Sequence, residues 1–254
     1  MQTPGLILSL TAAGLVIWLV IVFLYRRLYG RFPYFFLYLV AATIMTAARL
    51  AFKDDYLTFF KVFWATEAVY ALLALLAVHE VFRRVFALFY LFWWFWLVFP
   101  SAVVVIVFIT FANAAHTLAQ APQLVKLVVA VGMTAKYVEA GLFVVFVLLA
   151  SFLGVTWRSY AFGIVQGFAV SALGAWFAYG VRSEFGNKFT TLATYSPAVA
   201  YILTVVLWLA TFLRDESPAA EQRWILAVTP DELLAEIKRH TVLLRRFFNK
   251  RDGT

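Results

Sequence analysis

The sequence predicts an all-α, polytopic membrane protein, and its composition, its long apolar runs and the charge of its loops all indicate this class. Of its 254 residues, 65% are hydrophobic and 13% are charged, whereas a soluble domain carries about 45–50% apolar and about 25% charged residues. One soluble core cannot bury so much apolar surface, but a bilayer accepts it. The 27 Phe, 12 Tyr and 9 Trp also suit helices that lie in a membrane and are anchored at its surfaces.

Seven apolar runs are long enough to cross the hydrocarbon layer, which takes about 20 residues. We place them at Gly5–Tyr25, Pro33–Phe52, Phe59–Val81, Ala87–Phe111, Leu124–Leu153, Tyr160–Val181 and Ser196–Leu213. Pro100 falls inside the fourth run and predicts a kink there. No Lys or Arg precedes the first run, which is also too long for the apolar part of a signal peptide, so we expect it to be retained. The seven-helix domain is predicted to occupy residues 1–214.

The loop charges predict the orientation. Fourteen Lys and Arg residues lie in the first, third and fifth loops and in the tail, against six on the other side. Because cytoplasmic loops collect Lys and Arg, we expect the N-terminus outside and the C-terminus in the cytoplasm, with the chain in the inner (cytoplasmic) membrane. The net charge of +8 follows from these loops, so nucleic acid is not an expected partner.

The C-terminal tail divides into a linker, residues 215–228, and a predicted amphipathic helix, residues 229–254. Thr229, Pro230 and Glu232 form a helix start with a capping box. A basic amphipathic helix beside a membrane lies on its anionic leaflet. The expected lipid-contacting cations are Lys238, Arg239, Arg245, Arg246, Lys250 and Arg251. A stabilising surface helix and a docking segment for a cytoplasmic partner are both open interpretations.

Charged residues inside the membrane are costly and therefore mark candidate sites. Glu67 lies in the third run, and Lys136 and Glu139 lie in the fifth, three residues apart on one helix face. Helical rise places Glu67 and Lys136 at comparable depths. The three residues would form one intramembrane charged cluster if these helices are neighbours. The cluster would either fix helix packing or bind a ligand, a proton or an ion.

His79 and Glu80 lie near the inner end of the third run, where Glu80 can pair with Arg83 and Arg84. An interfacial charge pair is the expected role, and a porphyrin or metal ligand role for His79 is the alternative. The other histidines, His116 and His240, are on opposite sides of the predicted membrane. With no Cys in the chain, we expect no metal site.

The sixth run carries a stripe of small residues, Gly163, Gly167, Ser171 and Ala175, at four-residue spacing. Such a stripe lets another helix approach closely, either within the chain or in a homodimer. The aromatic run Tyr90–Trp96 suits an interfacial belt. It would also suit a groove for a lipid, a quinone or a pigment, although the sequence requires no cofactor.

Catalytic patterns are absent from the sequence. It has no Cys nucleophile, no Ser–His arrangement and no Gly-rich phosphate loop. Seven helices suggest a rhodopsin, but the seventh run contains no Lys that would bind retinal. The parts outside the membrane are too small for an enzymatic domain. We therefore expect no catalytic residues and no enzymatic activity.

Three segments of the sequence stand out, namely Arg31–Tyr38, Phe63–Glu67 and His79–Phe86. In these segments the chain resembles a family of uncharacterised seven-helix bacterial membrane proteins of acidobacterial type. The resemblance covers about the first three helices. It implies the seven-helix architecture and brings no activity, cofactor or binding residue with it.

Three functions are compatible with these features. The first is a non-catalytic membrane module, either a sensor or an accessory (scaffold) subunit of a larger membrane complex. The second is a small transporter or ion-coupled channel that uses Glu67, Lys136 and Glu139. The third is a pigment- or quinone-binding component of an electron-transfer or photosynthetic complex. The expected partners are membrane lipids and either other membrane subunits or a second copy of the chain.

Overall fold

Residues 3–215 form a helical bundle in the computed structural model, which describes all of them except positions 53, 88, 92, 118–122, 153–159 and 186–188. The described residues contain seven α-helices and no strand. The helices are α1 (Thr3–Tyr25), α2 (Pro33–Ala51), α3 (Tyr56–Val85), α4 (Val98–Thr117), α5 (Gln123–Phe152), α6 (Tyr160–Phe185) and α7 (Thr190–Leu213). Three short 3₁₀ segments cover Leu28–Gly30, Phe89–Leu91 and Trp93–Leu97. The all-α prediction is thereby confirmed.

Five helices contain stretches that are long and apolar enough to cross a membrane. These stretches are Gly5–Tyr25, Pro33–Ala51, Thr58–Val85, Tyr160–Ala178 and Thr194–Leu213. A shorter apolar helical stretch covers Phe95–Thr110. Large apolar side chains are exposed along the bundle, as expected where lipid replaces water. The chain thus has the composition and helix lengths of a multi-pass membrane protein.

The central helix of the bundle is α6. Its apolar stretch is 61% buried, whereas the other four stretches are 17–33% buried. It packs most extensively on α7, and also on α3 and α5. Around it, α7 contacts α1, α1 contacts α2, α2 contacts α3, and α4 contacts α5. The helices that carry candidate residues, α2, α3, α5 and α7, therefore surround or adjoin one interior.

Aromatic rings fill the interior between α1, α2, α6 and α7. Phe35 lies edge-on to Trp208 at 4.9 Å between ring centroids, and Phe23 meets Phe212 in the same way at 4.7 Å. Tyr38 contacts Phe168 of α6 at 5.0 Å. Each of these side chains is almost fully buried. Edge-to-face contacts add to the stabilisation from burial, and they fix the positions of the polar side chains on the same helices.

The fourth helix begins later than its apolar run predicts. The prediction of one helix from Ala87 to Phe111 is wrong, because Phe89–Leu91 and Trp93–Leu97 form 3₁₀ segments and α4 begins at Val98. Phe89 and Phe95 are buried, and the Trp96 indole Nε1 donates to the Tyr90 carbonyl at 2.9 Å. Pro100 therefore lies in the first turn of α4, where its missing N–H needs no partner, so the predicted mid-helix kink is also wrong.

The seventh helix begins earlier than predicted, at Thr190 rather than Ser196. Pro197 would suit the first turn of a helix that began near Ser196. In the structure it lies inside α7, and membrane helices tolerate such a proline when neighbouring groups satisfy the freed carbonyl. Some predictions lie outside the described residues. They concern the linker after Asp215, the tail helix with its six lipid-contacting cations, and Arg158, the basic residue of the fifth loop.

Candidate functional site

An ion pair between α2 and α3 is the first part of the site. The Arg49 Nη2 atom lies 3.0 Å from the Glu67 Oε2 atom. Arg49 Nε also donates to the Thr66 hydroxyl at 2.8 Å, and its guanidinium carbon lies 4.5 Å from the centroid of the Phe63 ring. Glu67 is thus neutralised by a cation from the neighbouring helix, and that cation is itself held in place by two further contacts.

Sequence reasoning missed Arg49, because this residue is one of the six Lys and Arg residues that the loop charges assign to the outer side. Its position provided a signal, since it falls within the apolar run Pro33–Phe52 rather than beyond it. A charge inside a span is a candidate by the same rule that selected Glu67. The cluster predicted from Glu67, Lys136 and Glu139 therefore gains a fourth charged member.

A second ion pair lies on α5. The Lys136 Nζ atom is 3.2 Å from Glu139 Oε1 and 3.3 Å from Oε2. This is the contact that the three-residue spacing predicts. The Glu139 side chain is only 4% exposed and that of Lys136 is 18% exposed. Because an unpaired buried charge is very costly, the Lys136 ammonium group supplies the opposite charge that a buried carboxylate needs.

Three tyrosines, one each on α2, α3 and α7, lie beside these ion pairs. Tyr70 of α3 donates to the hydroxyl of Tyr201 on α7 at 2.8 Å. Buried tyrosines normally find such a partner for the hydroxyl group. The Tyr38 ring of α2 packs beside the Tyr70 ring, with 4.5 Å between the ring centroids. No sequence pattern marked these residues, because tyrosines of membrane proteins are expected mainly at the interfaces.

The tyrosines and the two ion pairs form one electrostatic unit. Tyr38 interacts electrostatically with both Glu67 and Glu139. Tyr201 interacts with both Lys136 and Arg49, and the two carboxylates act on each other. We call this unit the polar cluster. Its members are Tyr38, Arg49, Glu67, Tyr70, Lys136, Glu139 and Tyr201.

The polar cluster contains two cations and two carboxylates, so its formal charge is zero. Each carboxylate has a cation within salt-bridge distance. Such pairing offsets the cost of removing charges from water, and it makes the loss of any one member costly. Four helices contribute members, namely α2, α3, α5 and α7. Chemically, the cluster can join these helices and can reorder its hydroxyl hydrogen bonds.

Glu80 has a different partner from the expected one. Its Oε2 atom accepts hydrogen bonds from the backbone N–H groups of Tyr34 and Phe35, both at 3.1 Å. It therefore caps the start of α2, whose first N–H groups have no partner within the helix. Arg84 acts on Glu80 electrostatically. The prediction that Glu80 serves mainly in a charge pair with Arg83 and Arg84 missed this cap, because a contact between two different helices has no spacing signal in the sequence.

His79 packs its ring against Phe99 of α4, with 4.9 Å between centroids. Within the described part of the chain, no group of three His, Cys, Asp or Glu side chains could hold a metal ion.

The aromatic run Tyr90–Trp96 contains both buried and exposed rings. Phe95 contacts Phe82 and is buried, whereas Trp93 and Trp96 are 78% and 57% exposed. Exposed indoles at the end of a bundle fit an interfacial belt.

The two glycines of the α6 stripe face α7 of the same chain. Gly167 lies against the indole of Trp208, and Gly163 lies against Thr211. Trp208 Nε1 donates to the Ile164 carbonyl at 3.2 Å, and the Thr204 hydroxyl donates to the Gly167 carbonyl at 3.0 Å. Ala175 is buried and Ser171 is half-buried on the same helix. The stripe therefore has an intramolecular packing partner along its glycines.

Comparisons with protein-family models, with curated proteins and with solved structures found no match to this chain. These comparisons assign no role to any residue of the polar cluster. Its chemistry has to be argued from its own contacts.

Proposed function

We propose that the chain is a non-catalytic membrane module of the sensor type, with the polar cluster as its responsive element. The observation that carries this proposal is the hydrogen bond between Tyr70 and Tyr201. It connects the charge-bearing helices to α7, the helix that leads towards the basic tail. A change of protonation, of ligand or of membrane state at the cluster would thereby reach the end of the chain that is proposed to lie in the cytoplasm.

The proposed topology has seven spans, with the N-terminus outside, the tail inside and the chain in the cytoplasmic membrane. Contacts at one end of the bundle support it. Arg26, just after α1, donates to the carbonyls of Leu213 and Arg214 at the end of α7, and to the Tyr160 hydroxyl at the start of α6. These contacts fit helices that alternate in direction, with α4 and α5 supplying two crossings between α3 and α6. The basic loops then share the cytoplasmic side.

A transporter or ion-coupled channel is the second candidate, and one observation favours it. The Thr134 hydroxyl, two residues before Lys136 on α5, is buried and has no hydrogen-bond partner among the described residues. A transport site would use such a group to bind its cargo. Against this candidate, each charged group of the polar cluster already has an oppositely charged partner.

Reconstitution separates these proposals. We expect liposomes that contain the purified protein and a pH-sensitive dye to show the same proton flux as protein-free liposomes, since the cluster is neutralised. Glu67→Gln should leave that flux unchanged. A flux that exceeds the protein-free control and falls in the Glu67→Gln protein would contradict the sensor proposal and select the transporter.

The same purified protein distinguishes a sensor from a pigment-binding component and from an accessory subunit. Native mass in mild detergent and an absorption spectrum should show a colourless protein without co-purifying subunits. A bound chromophore would select the pigment-binding component, and co-purifying subunits would select the accessory subunit.

Limited proteolysis tests the coupling between the polar cluster and the tail. For a sensor, Tyr201→Phe should change the rate at which trypsin cleaves the tail, because it removes the hydroxyl that joins α7 to Tyr70. Tyr29→Phe, at an exposed tyrosine, is the matched control. Equal cleavage rates in the unmodified protein and in both variants would contradict the proposed coupling.

A further inference from the structure

The central helix α6 carries an amide side chain, Gln166, inside its apolar stretch. Among the five stretches that are long and apolar enough to cross a membrane, Tyr160–Ala178 alone contains an Asn or a Gln. Within the part of the chain that the structure describes, the Gln166 amide makes no hydrogen bond. It differs in this from the charged residues of the polar cluster, each of which has an oppositely charged partner.

Gln166 is also the point at which α6 reaches the surface of the bundle. Over residues 160–169 every other position is buried, whereas Gln166 is partly exposed. Further along the helix Val170 is partly exposed, and Leu173 and Phe177 are 54% and 48% exposed. The spacing of four, three and four residues places these side chains on one side of the helix. We call Gln166, Val170, Leu173 and Phe177 the Gln166 face.

Contacts of the preceding turn show where the Gln166 face points. Phe162, four residues before Gln166, meets Phe146 of α5 with 6.0 Å between ring centroids. Gly163, three residues before Gln166, lies against Thr211 of α7. Because Gln166 lies between these two directions around the helix, it faces outwards between α5 and α7. The Gln166 face is therefore distinct from the glycines of α6, which α7 already covers.

The position of Gln166 along α6 keeps its amide away from water. It lies six residues after Tyr160, where the apolar stretch begins, which corresponds to about 9 Å along the helix. Its side chain is shorter than the Lys and Arg side chains that reach the headgroups from inside a membrane. An amide without a hydrogen-bond partner is costly in hydrocarbon. Membrane helices satisfy such a group by hydrogen-bonding it to another helix.

We propose that the Gln166 face is the contact between two copies of this chain, with the two Gln166 amides hydrogen-bonded to each other. Copies inserted in the same orientation are related by a two-fold axis along the membrane normal, which brings identical residues together at the same depth. An amide has both donors and acceptors, so it is complementary to its own copy. Two turns further along, the two Leu173 side chains then meet as well. The proposal does not depend on the sensor function.

Disulfide cross-linking in isolated membranes tests the contact, since the chain has no cysteine of its own. We expect Leu173→Cys to form disulfide-linked dimers on oxidation with copper phenanthroline, because each thiol faces its own copy across the axis. Ile44→Cys is the matched control. Ile44 is 63% exposed and lies a similar number of residues into its helix, but that helix is α2. It should give no dimer.

A second substitution in the Leu173→Cys protein tests the amide itself. Gln166→Met keeps the length of the side chain but removes its donors and acceptors, so dimerisation should weaken about tenfold, with a lower cross-linked fraction at low expression. Gln166→Asn retains an amide and should keep most of the cross-linked dimer.

Each outcome decides the proposal. Dimers of Leu173→Cys that diminish with Gln166→Met and persist with Gln166→Asn support it. Absence of these dimers would overturn the second copy as the partner, whether or not another polypeptide co-purifies. Equal cross-linking of Ile44→Cys would show random collision and overturn the contact. An unchanged yield with Gln166→Met, or an equal loss with both substitutions, would overturn the amide pair. If Gln166→Met does not accumulate in the membrane, Gln166→Leu is measured in its place under the same criteria.

Discussion

Replacing Lys136 with methionine is expected to destabilise the protein by about 3–5 kcal/mol, the cost of leaving a buried charge without its partner. The reason is the position of Glu139, whose side chain is 4% exposed and whose two carboxylate oxygens both lie within 3.3 Å of the Lys136 ammonium group. Methionine has a similar length but cannot neutralise the carboxylate. Equilibrium unfolding in detergent micelles measures the loss.

Two further variants separate loss of the pair from loss of a lysine. The double variant Lys136→Met with Glu139→Met removes both charges and should recover most of the lost stability. The reason is that the attraction within a buried ion pair does little more than offset the cost of removing both charges from water. Lys61→Met removes a lysine at an exposed position of α3 and should change stability by less than about 0.5 kcal/mol. If the double variant were as unstable as Lys136→Met, the ion pair would not explain the effect.

Gly167→Ala is expected to destabilise the protein by about 1–3 kcal/mol, the usual cost of overpacking a filled core. A Cβ atom at this position would overlap the indole ring of Trp208. The ring cannot easily move, because Trp208 is fully buried and its Nε1 atom donates a hydrogen bond to the Ile164 carbonyl. The same unfolding measurement applies, and a changed Trp near-ultraviolet signal should accompany the loss.

Gly14→Ala is the matched control for this substitution. A Cβ atom at Gly14 of α1 would meet nothing within 4 Å. Alanine there should be neutral or should stabilise the helix by up to about 1 kcal/mol, since alanine has the higher helix propensity. Equal effects at Gly14 and Gly167 would mean that helix propensity, rather than the close approach of α6 and α7, determines the result.

The sequence was sufficient for helices whose ends carry a local signal. The predicted starts and ends of α2 and α5 lie within one residue of those observed, because Pro33 and the polar stretch before Leu124 end the apolar pattern abruptly. It was not sufficient where two conformations share the same composition. The segments Phe89–Leu91 and Trp93–Leu97 would have the same apolar composition as an α-helix or as a 3₁₀ helix. Their conformation depends on tertiary packing, such as that of Phe95 against Phe82 and Phe86.

The same limit applies to the candidate site. The Lys136–Glu139 contact lies within one helix, so residue spacing was enough to predict it. The Arg49–Glu67 pair, the tyrosine hydrogen bond and the Glu80 cap all join different helices. Which helices are neighbours depends on packing over the whole bundle. For that reason the sequence identified three of the four charged members of the polar cluster and none of its tyrosines.

In the proposed topology the chain crosses the membrane seven times and its basic loops lie in the cytoplasm. The chain contains no cysteine, so single cysteines can be labelled without background. We choose exposed positions near the ends of the helices, Asp54→Cys and Thr191→Cys for the proposed outer side and Gly30→Cys and Ala87→Cys for the proposed inner side. A membrane-impermeant maleimide is applied to spheroplasts. We expect labelling of the first pair at once and of the second pair only after permeabilisation. Labelling of Gly30→Cys or Ala87→Cys in intact spheroplasts, with Asp54→Cys or Thr191→Cys protected, would contradict it.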